Sequence, residues 1–405
     1  MREASPARVQ RRTLVVLVVS QVLSGAGLAA GVTVGVLLAQ DVLGSTGLSG
    51  VAIALTTAGS AVSAVVVGRL SQARGRRAGL AIGYLTGALG GAGIVVAGAV
   101  GSAGLLFASL VVYGAGTATN LQARYAGADL AEPERRGRAV STVLVSTTVG
   151  GVLGPNLAAP TGAVAERLGL PALTGPFLLA VVAYVTAAVV LTAFLRPDPL
   201  LMAASLRRED ERRGVAERDD RRGVVTGGTV MVLTQLVMVA IMTMTPIHMS
   251  DHGHSTAAAG LVIAVHIAAM FLPSPVTGIL TDRFGPHRVS MAAGVVLVAA
   301  GLLAATAPGH SVPLLSVALA LLGFGWNLGL VAGTAIITTS VPLATRARTQ
   351  GVLDVSVALS GATGGLLSGV VVAGIGFPSL GLIGALLALS LLPVIWTIRR
   401  RRPQG

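Results

Sequence analysis

Cysteine and lysine are both absent from this 405-residue chain, and only 11% of its residues are charged. Without cysteine there is no disulfide framework and no thiolate metal site. With 53% hydrophobic residues beside so little charge, the chain is not composed like a soluble domain. No glycine loop followed by Lys and Ser or Thr occurs, which excludes the phosphate cradle of an ATP-driven pump. The chain also lacks a nucleophile–base pair and a conventional hydrolytic metal site. It is therefore not read as an enzyme, and it implies no cofactor.

What the chain does contain is twelve apolar runs of about 20 residues, the length that crosses a ~30 Å hydrocarbon layer. These predict an all-α membrane protein of twelve transmembrane helices in two six-helix bundles. The expected divisions are a tail at 1–12, a first bundle at 13–195, a polar linker at 196–224, a second bundle at 225–398 and a tail at 399–405. The opening RRTLVVLVVSQVLSGAGLAAG imitates a secretory signal, but its apolar run continues to Ala39 and is read as a retained first helix. The linker RPDPLLMAASLRREDERRGVAERDDRRG mixes charges without an apolar face and reads as solvated, part of it as an interfacial helix.

A net charge of +13 could suggest nucleic acid. Yet every arginine except Arg167 falls in the tails, in even-numbered loops or at helix ends facing them. That asymmetry predicts a multi-pass protein of the cytoplasmic membrane with both termini in the cytoplasm. Its partner is then the lipid bilayer and not nucleic acid.

The second apolar run ends in Gly68, Arg69, Gln72, Arg74, Gly75 and Arg76. The eighth ends in Gly278, Asp282, Arg283 and Gly285, following G-x-L-x-D-R-x-G closely. One offset relates Gly68 to Gly278, Arg138 to Arg348 and Gly154 to Gly364, which indicates a duplicated six-helix unit. These paired loops resemble those of the major facilitator superfamily. The resemblance implies two bundles around a central cavity, alternating access, and loops that latch the cytoplasmic side. Gln72 departs from the aspartate of the pattern and implies a weaker or differently wired first latch. Asp354, in the first turn of the eleventh run, is expected to pair with an arginine of the loop after the second run, or else to relay protons. In the fifth run, Gly150, Gly154 and Pro155 resemble the hinge of drug/proton antiporters, although a kinked glycine-rich helix also serves plain packing. Gln21 and Asn327 are the polar candidates for a cavity wall, against an alternative role in helix packing.

Six of the nine methionines and four of the six histidines fall between Met231 and Met270. Met238/Met242 and His266/Met270 are each four residues apart, so each pair shares one helical face. A count along the two helices puts Met238 level with His266, Met242 above and Met270 below. Thioether sulfur and imidazole nitrogen at that depth suit a soft cation such as Cu(I). Methionine pairs more often simply fill a core. The M-x-x-x-M then H-x-x-x-M order resembles the CcoA-like copper importers of the same superfamily. That resemblance carries copper, as substrate, to Met238, Met242, His266 and Met270. The turn beyond, with His248, Met249, His252 and His254, reads either as an outer metal-collecting cluster or as an ordinary polar turn. The expectation is a monomeric secondary transporter importing copper; the alternative is proton-coupled efflux of small organic molecules.

Overall fold

A computed structural model of the chain describes residues 6–43, 49–212 and 220–391; the side chains of 26, 28–37, 39–43, 49–51, 53, 151–156, 210–212 and 256–257 lie outside that description. Among the described residues there is helix and turn but no strand. Lipid offers the backbone no hydrogen-bond partner, so a helix that satisfies its own N–H and C=O groups is the available solution. In order the helices are α1 (Pro6–Leu43), α2 (Ser49–Arg74), α3 (Arg76–Val100), α4 (Ala103–Ala128), α5 (Arg136–Asn156), α6 (Ala158–Arg167) and α7 (Gly175–Phe194). There follow α8 (Pro199–Arg212), α9 (Arg221–Asp251), α10 (Thr256–Phe271), α11 (Ser274–Phe284), α12 (Pro286–Thr306), α13 (Val312–Ser340) and α14 (Arg346–Leu389).

Several ends are set by local chemistry. Ser102, Asp220, Ser255 and Ser311 each accept a backbone N–H from the first turn of α4, α9, α10 and α13. Pro273 and Pro275 divide one predicted span into α10 and α11, and the fifth span breaks at Leu157 between α5 and α6. Conversely, α14 runs through two predicted spans, with one non-helical residue, Gly376 at φ 83°, two positions before Pro378. Nine helical stretches among the described residues are long and apolar enough to cross a membrane. The linker contributes α8, and Asp220 caps α9 before the expected start at 225.

The chain divides into two compact units. The first comprises Met1–Ala131, Thr142–Glu217 and Pro342–Ala358; the second comprises Glu132–Ser141, Arg218–Val341 and Leu359–Gly405. Each thus contains a short segment from outside its half of the sequence. In the first unit, Leu17, Leu80, Ile94, Leu106, Leu110, Phe177 and Leu191 are buried together with Tyr84, Tyr113 and Tyr184. In the second, α13 is the central helix, packed by α9, α10 and α12.

The repeat offset holds at the level of contacts. A side chain at Gly68 would strike the backbone of Ala347 and Gly351, and one at Gly278 would strike Gly137 and Ser141, the residues one repeat earlier. Both glycines let two helices meet backbone to backbone. Gly75 and Gly285, at φ 90° and 84°, end α2 and α11 in a conformation that a side chain would strain.

Candidate functional site

In the second unit, α13 fixes the register of the methionine–histidine helices. Along α9, Gly227, Met231 and Thr234 face α13 near Ile337, Gly333 and Gly329, one turn at a time. Continued by helical rise, that ladder reaches the level of Gly325 at Met238 and of Leu321 at Met242, although Gly325 itself faces Leu297 of α12. On α10, His266 bonds Leu319 and lies against Gly323, while the Met270 carbonyl accepts from Asn327. His266 is therefore also near the level of Leu321, and Met270 near that of Gly325. Extended along α13, these contacts put Met242 nearer the level of His266, and Met238 nearer that of Met270, than the count along the two helices does. The cause is the turn, because α9 continues to Asp251 and centres the hairpin about one and a half residues beyond where the sequence count put it.

The burial of these four residues differs. His266 is fully buried, Met238 and Met270 are nearly so, and Met242 is half-buried. The imidazole Nδ1 lies 2.8 Å from the Leu319 carbonyl, which can only accept, so Nδ1 carries the proton. That leaves Nε2 buried and without a hydrogen-bond partner. A buried polar nitrogen left unpaired costs about 1–3 kcal/mol, an expense that a bound cation would offset. Beside this site, Trp326 Nε1 donates to Gln235 Oε1 at 2.7 Å, and its ring meets Phe271 edge-on. The Trp326 ring therefore links α9 and α10 across one face of α13.

Asn327 is satisfied by protein on its donor side only, its Oδ1 being buried without a partner. It is fully buried, its Nδ2 donating to the Met270 carbonyl at 2.7 Å and to Ser274 Oγ at 2.6 Å. Gln21 is likewise fully buried in the first unit, where its amide donates to the Asn120 carbonyl and to Thr147 Oγ1. Tyr84 donates to Gln21 at 2.6 Å. Of the two readings, these contacts fit helix packing, fully for Gln21 and on the donor side for Asn327.

The outer cluster also changes character. His248 stacks on Phe377 with ring centroids 4.3 Å apart, His252 Nδ1 approaches the His248 carbonyl, and His254 Nε2 approaches the Gly309 carbonyl. Met249 is buried. Among the described residues, no three His, Cys, Asp or Glu side chains converge on a metal position. Of the two readings, these contacts fit the ordinary polar turn. At the fifth span Gly150 is buried, while the surroundings of Gly154 and Pro155 lie outside the description.

In the arginine loops, Asp282 accepts the backbone N–H groups of Gly137 at 2.7 Å and Arg138 at 3.1 Å, and pairs with Arg138 Nε at 3.3 Å. It caps the start of α5, where the helix dipole favours an anion. Gln72 holds the equivalent place and is neutral: it accepts from Ala347 N–H at 2.8 Å and donates to the Leu343 carbonyl at 3.0 Å. Arg283 lies over Phe284, and Arg74 is exposed. Asp282→Asn should lower transport per unit of membrane protein and cost about 1–2 kcal/mol, since the dipole–charge contact is lost while one accepting oxygen remains. Uptake and thermal midpoint on the purified variant check this, and a wild-type result in both would remove the role given to Asp282.

The expected partner of Asp354 is replaced. Its Oδ1 takes Arg124 Nη2 of α4 at 2.7 Å and the Tyr125 hydroxyl at 3.1 Å. The loop arginine, Arg76, instead takes Asp129 at 2.7 Å and Gln350 Oε1. Asp198, at the foot of α8, accepts Arg77 N–H at 2.7 Å and also the N–H groups of Leu200 and Leu201. Sequence reasoning missed Arg124, Asp129, Asp198 and Gln350. A buried arginine in an apolar run was the available signal for Arg124.

A sequence profile described as Major Facilitator Superfamily matches residues 17–247 and 227–405. The uncharacterized MFS-type transporter YdeG of Bacillus subtilis (strain 168) is 53% identical over 398 residues, covering 96% of this chain and 93% of the relative. The riboflavin transporter RfnT of Brucella anthropi is 30% identical over 401 residues, covering 98% of each. The crystal structure of the human organic anion transporter MFSD10 superposes with a TM-score of 0.77 at 18% identity, covering 95% of this chain and 99% of that one.

Proposed function

The chain belongs to the Major Facilitator Superfamily and is a secondary transporter of the membrane, not an enzyme; from that premise we propose that its cargo is Cu(I), taken inward through Met238, Met242, His266 and Met270. One observation carries the reading. A fully buried imidazole commits Nδ1 to Leu319 and leaves Nε2 unpartnered. Helical spacing supports a thioether near its own level and two more about a turn below. Sulfur and imidazole donors favour a soft monovalent cation over hard ions. Neutral ligands hold it without fixed charge, which favours release once the site opens to the other side. The arginine distribution supports a cytoplasmic-membrane protein with both termini in the cytoplasm.

A second reading has its own support, since a riboflavin transporter is similar over the whole chain. Under it the cargo is a small organic molecule and the methionines fill a core. Accumulation of copper and of riboflavin in cells expressing the chain separates the two. The expected result is a several-fold rise in cell copper over an empty vector, with riboflavin uptake unchanged. The reverse pattern transfers the assignment to the organic cargo. Drug sensitivity of the same cells distinguishes both from an efflux carrier.

A further inference from the structure

The two copies of the arginine loop are not equally neutralised. In the second unit Arg138 has a carboxylate, Asp282, at 3.3 Å. One repeat later stands Arg348, and the residue in the place of Asp282 is Gln72. Both ends of the Gln72 amide are taken by the backbone of Leu343 and Ala347. In the first unit a second cation, Arg69, occupies the position that Ile279 holds in the other copy.

Arg69, Gln72, Ala73 and Arg348 line one open surface cleft of about 360 Å³, in which both arginines are exposed. Among the described residues, neither Arg69 nor Arg348 has a carboxylate within ion-pair distance. Acidic groups of the same unit are engaged elsewhere: Asp129 with Arg76, and Asp198 with backbone N–H groups. Two exposed guanidinium groups lining one cleft, with no carboxylate beside either, offer planar donors that match the oxygens of a phosphate.

We propose that this recess is an oxyanion site, in which a phosphate group supplies from outside the charge that Asp282 supplies from within the other copy. The phosphate is that of an anionic lipid headgroup or free inorganic phosphate; the chemistry is shared. Bound there, it joins the end of α2 to the first turn of α14, as Asp282 joins α11 to α5. The inference does not depend on the identity of the cargo.

The test uses the purified full-length protein in nanodiscs of phosphatidylcholine alone, with added phosphatidylglycerol, or with millimolar inorganic phosphate. A ligand that binds the native state raises the thermal midpoint. The midpoint of the wild-type protein should rise by several degrees with one of the two additions, and which one does so identifies the source. Arg69→Gln and Arg348→Gln should lose the rise. Gln72→Asp should show a raised midpoint in phosphatidylcholine alone and no further response, because the missing charge is now internal. The proposal is overturned by no response to either addition, or by an equal response in the wild-type protein and all three variants.

Discussion

Asp129→Ala should destabilise the protein by about 3–5 kcal/mol, among the largest losses available from one side chain. Arg76 and Asp129 are both fully buried, with Nε to Oδ2 at 2.7 Å and Nη2 to Oδ1 at 3.4 Å. Removing the carboxylate leaves a guanidinium that cannot shed its proton, away from water, with Gln350 as its remaining neutral partner. A yield and thermal-midpoint measurement on the purified variant gives the answer directly. The double variant Arg76→Met/Asp129→Leu should recover much of the loss, because the pair itself repays little beyond its own desolvation. A wild-type midpoint for Asp129→Ala alone would mean that the buried pair is not present in the membrane.

The second large effect is functional. Met238→Leu, Met242→Leu and His266→Leu should each reduce copper accumulation by about tenfold or more, since losing one ligand of a four-donor site removes well over 1.4 kcal/mol of binding. Membrane abundance should hold for the methionine variants, because leucine replaces methionine at similar volume and usually costs less than about 1.5 kcal/mol. His266→Leu also strands the Leu319 carbonyl, so a modest loss of stability accompanies it. Met242 is the most informative of the three. It is half-buried, so core packing alone predicts the mildest effect there, whereas ligation predicts an effect as large as at His266. Unchanged accumulation in all three variants would return the four residues to ordinary packing.

The sequence made the architecture legible because helices in lipid leave a one-dimensional record: apolar length, arginine asymmetry and a constant repeat offset. Even element ends follow that offset, with Arg76 and Pro286 opening α3 and α12, and Arg136 and Arg346 opening α5 and α14. Partner choice was not legible. Arg76 meets Gln350 across 274 positions, Arg124 meets Asp354 across 230, and Asp198 meets Arg77 across 121. Nothing local distinguishes Arg76 from Arg74 or Arg77 as the buried member of its run. The Met/His spacing was readable because i to i+4 defines a face, but relative depth was not. Depth depends on where the hairpin turns, and α9 outlasts the last apolar residue of its run to end at Asp251. Gln21 and Asn327 left two readings open, because polarity inside a span signals that a partner exists without saying whether it is water or a neighbouring helix.

Direct titration of the purified, reduced, full-length protein with Cu(I), against a competing chromophoric chelator, tests the central claim most closely. One Cu(I) should bind per wild-type chain, and about tenfold or more weaker binding should follow for Met242→Leu and for His266→Leu. Absence of binding by the wild-type protein, or equal binding by all three proteins, would contradict the assignment of Met238, Met242, His266 and Met270 as the cargo site.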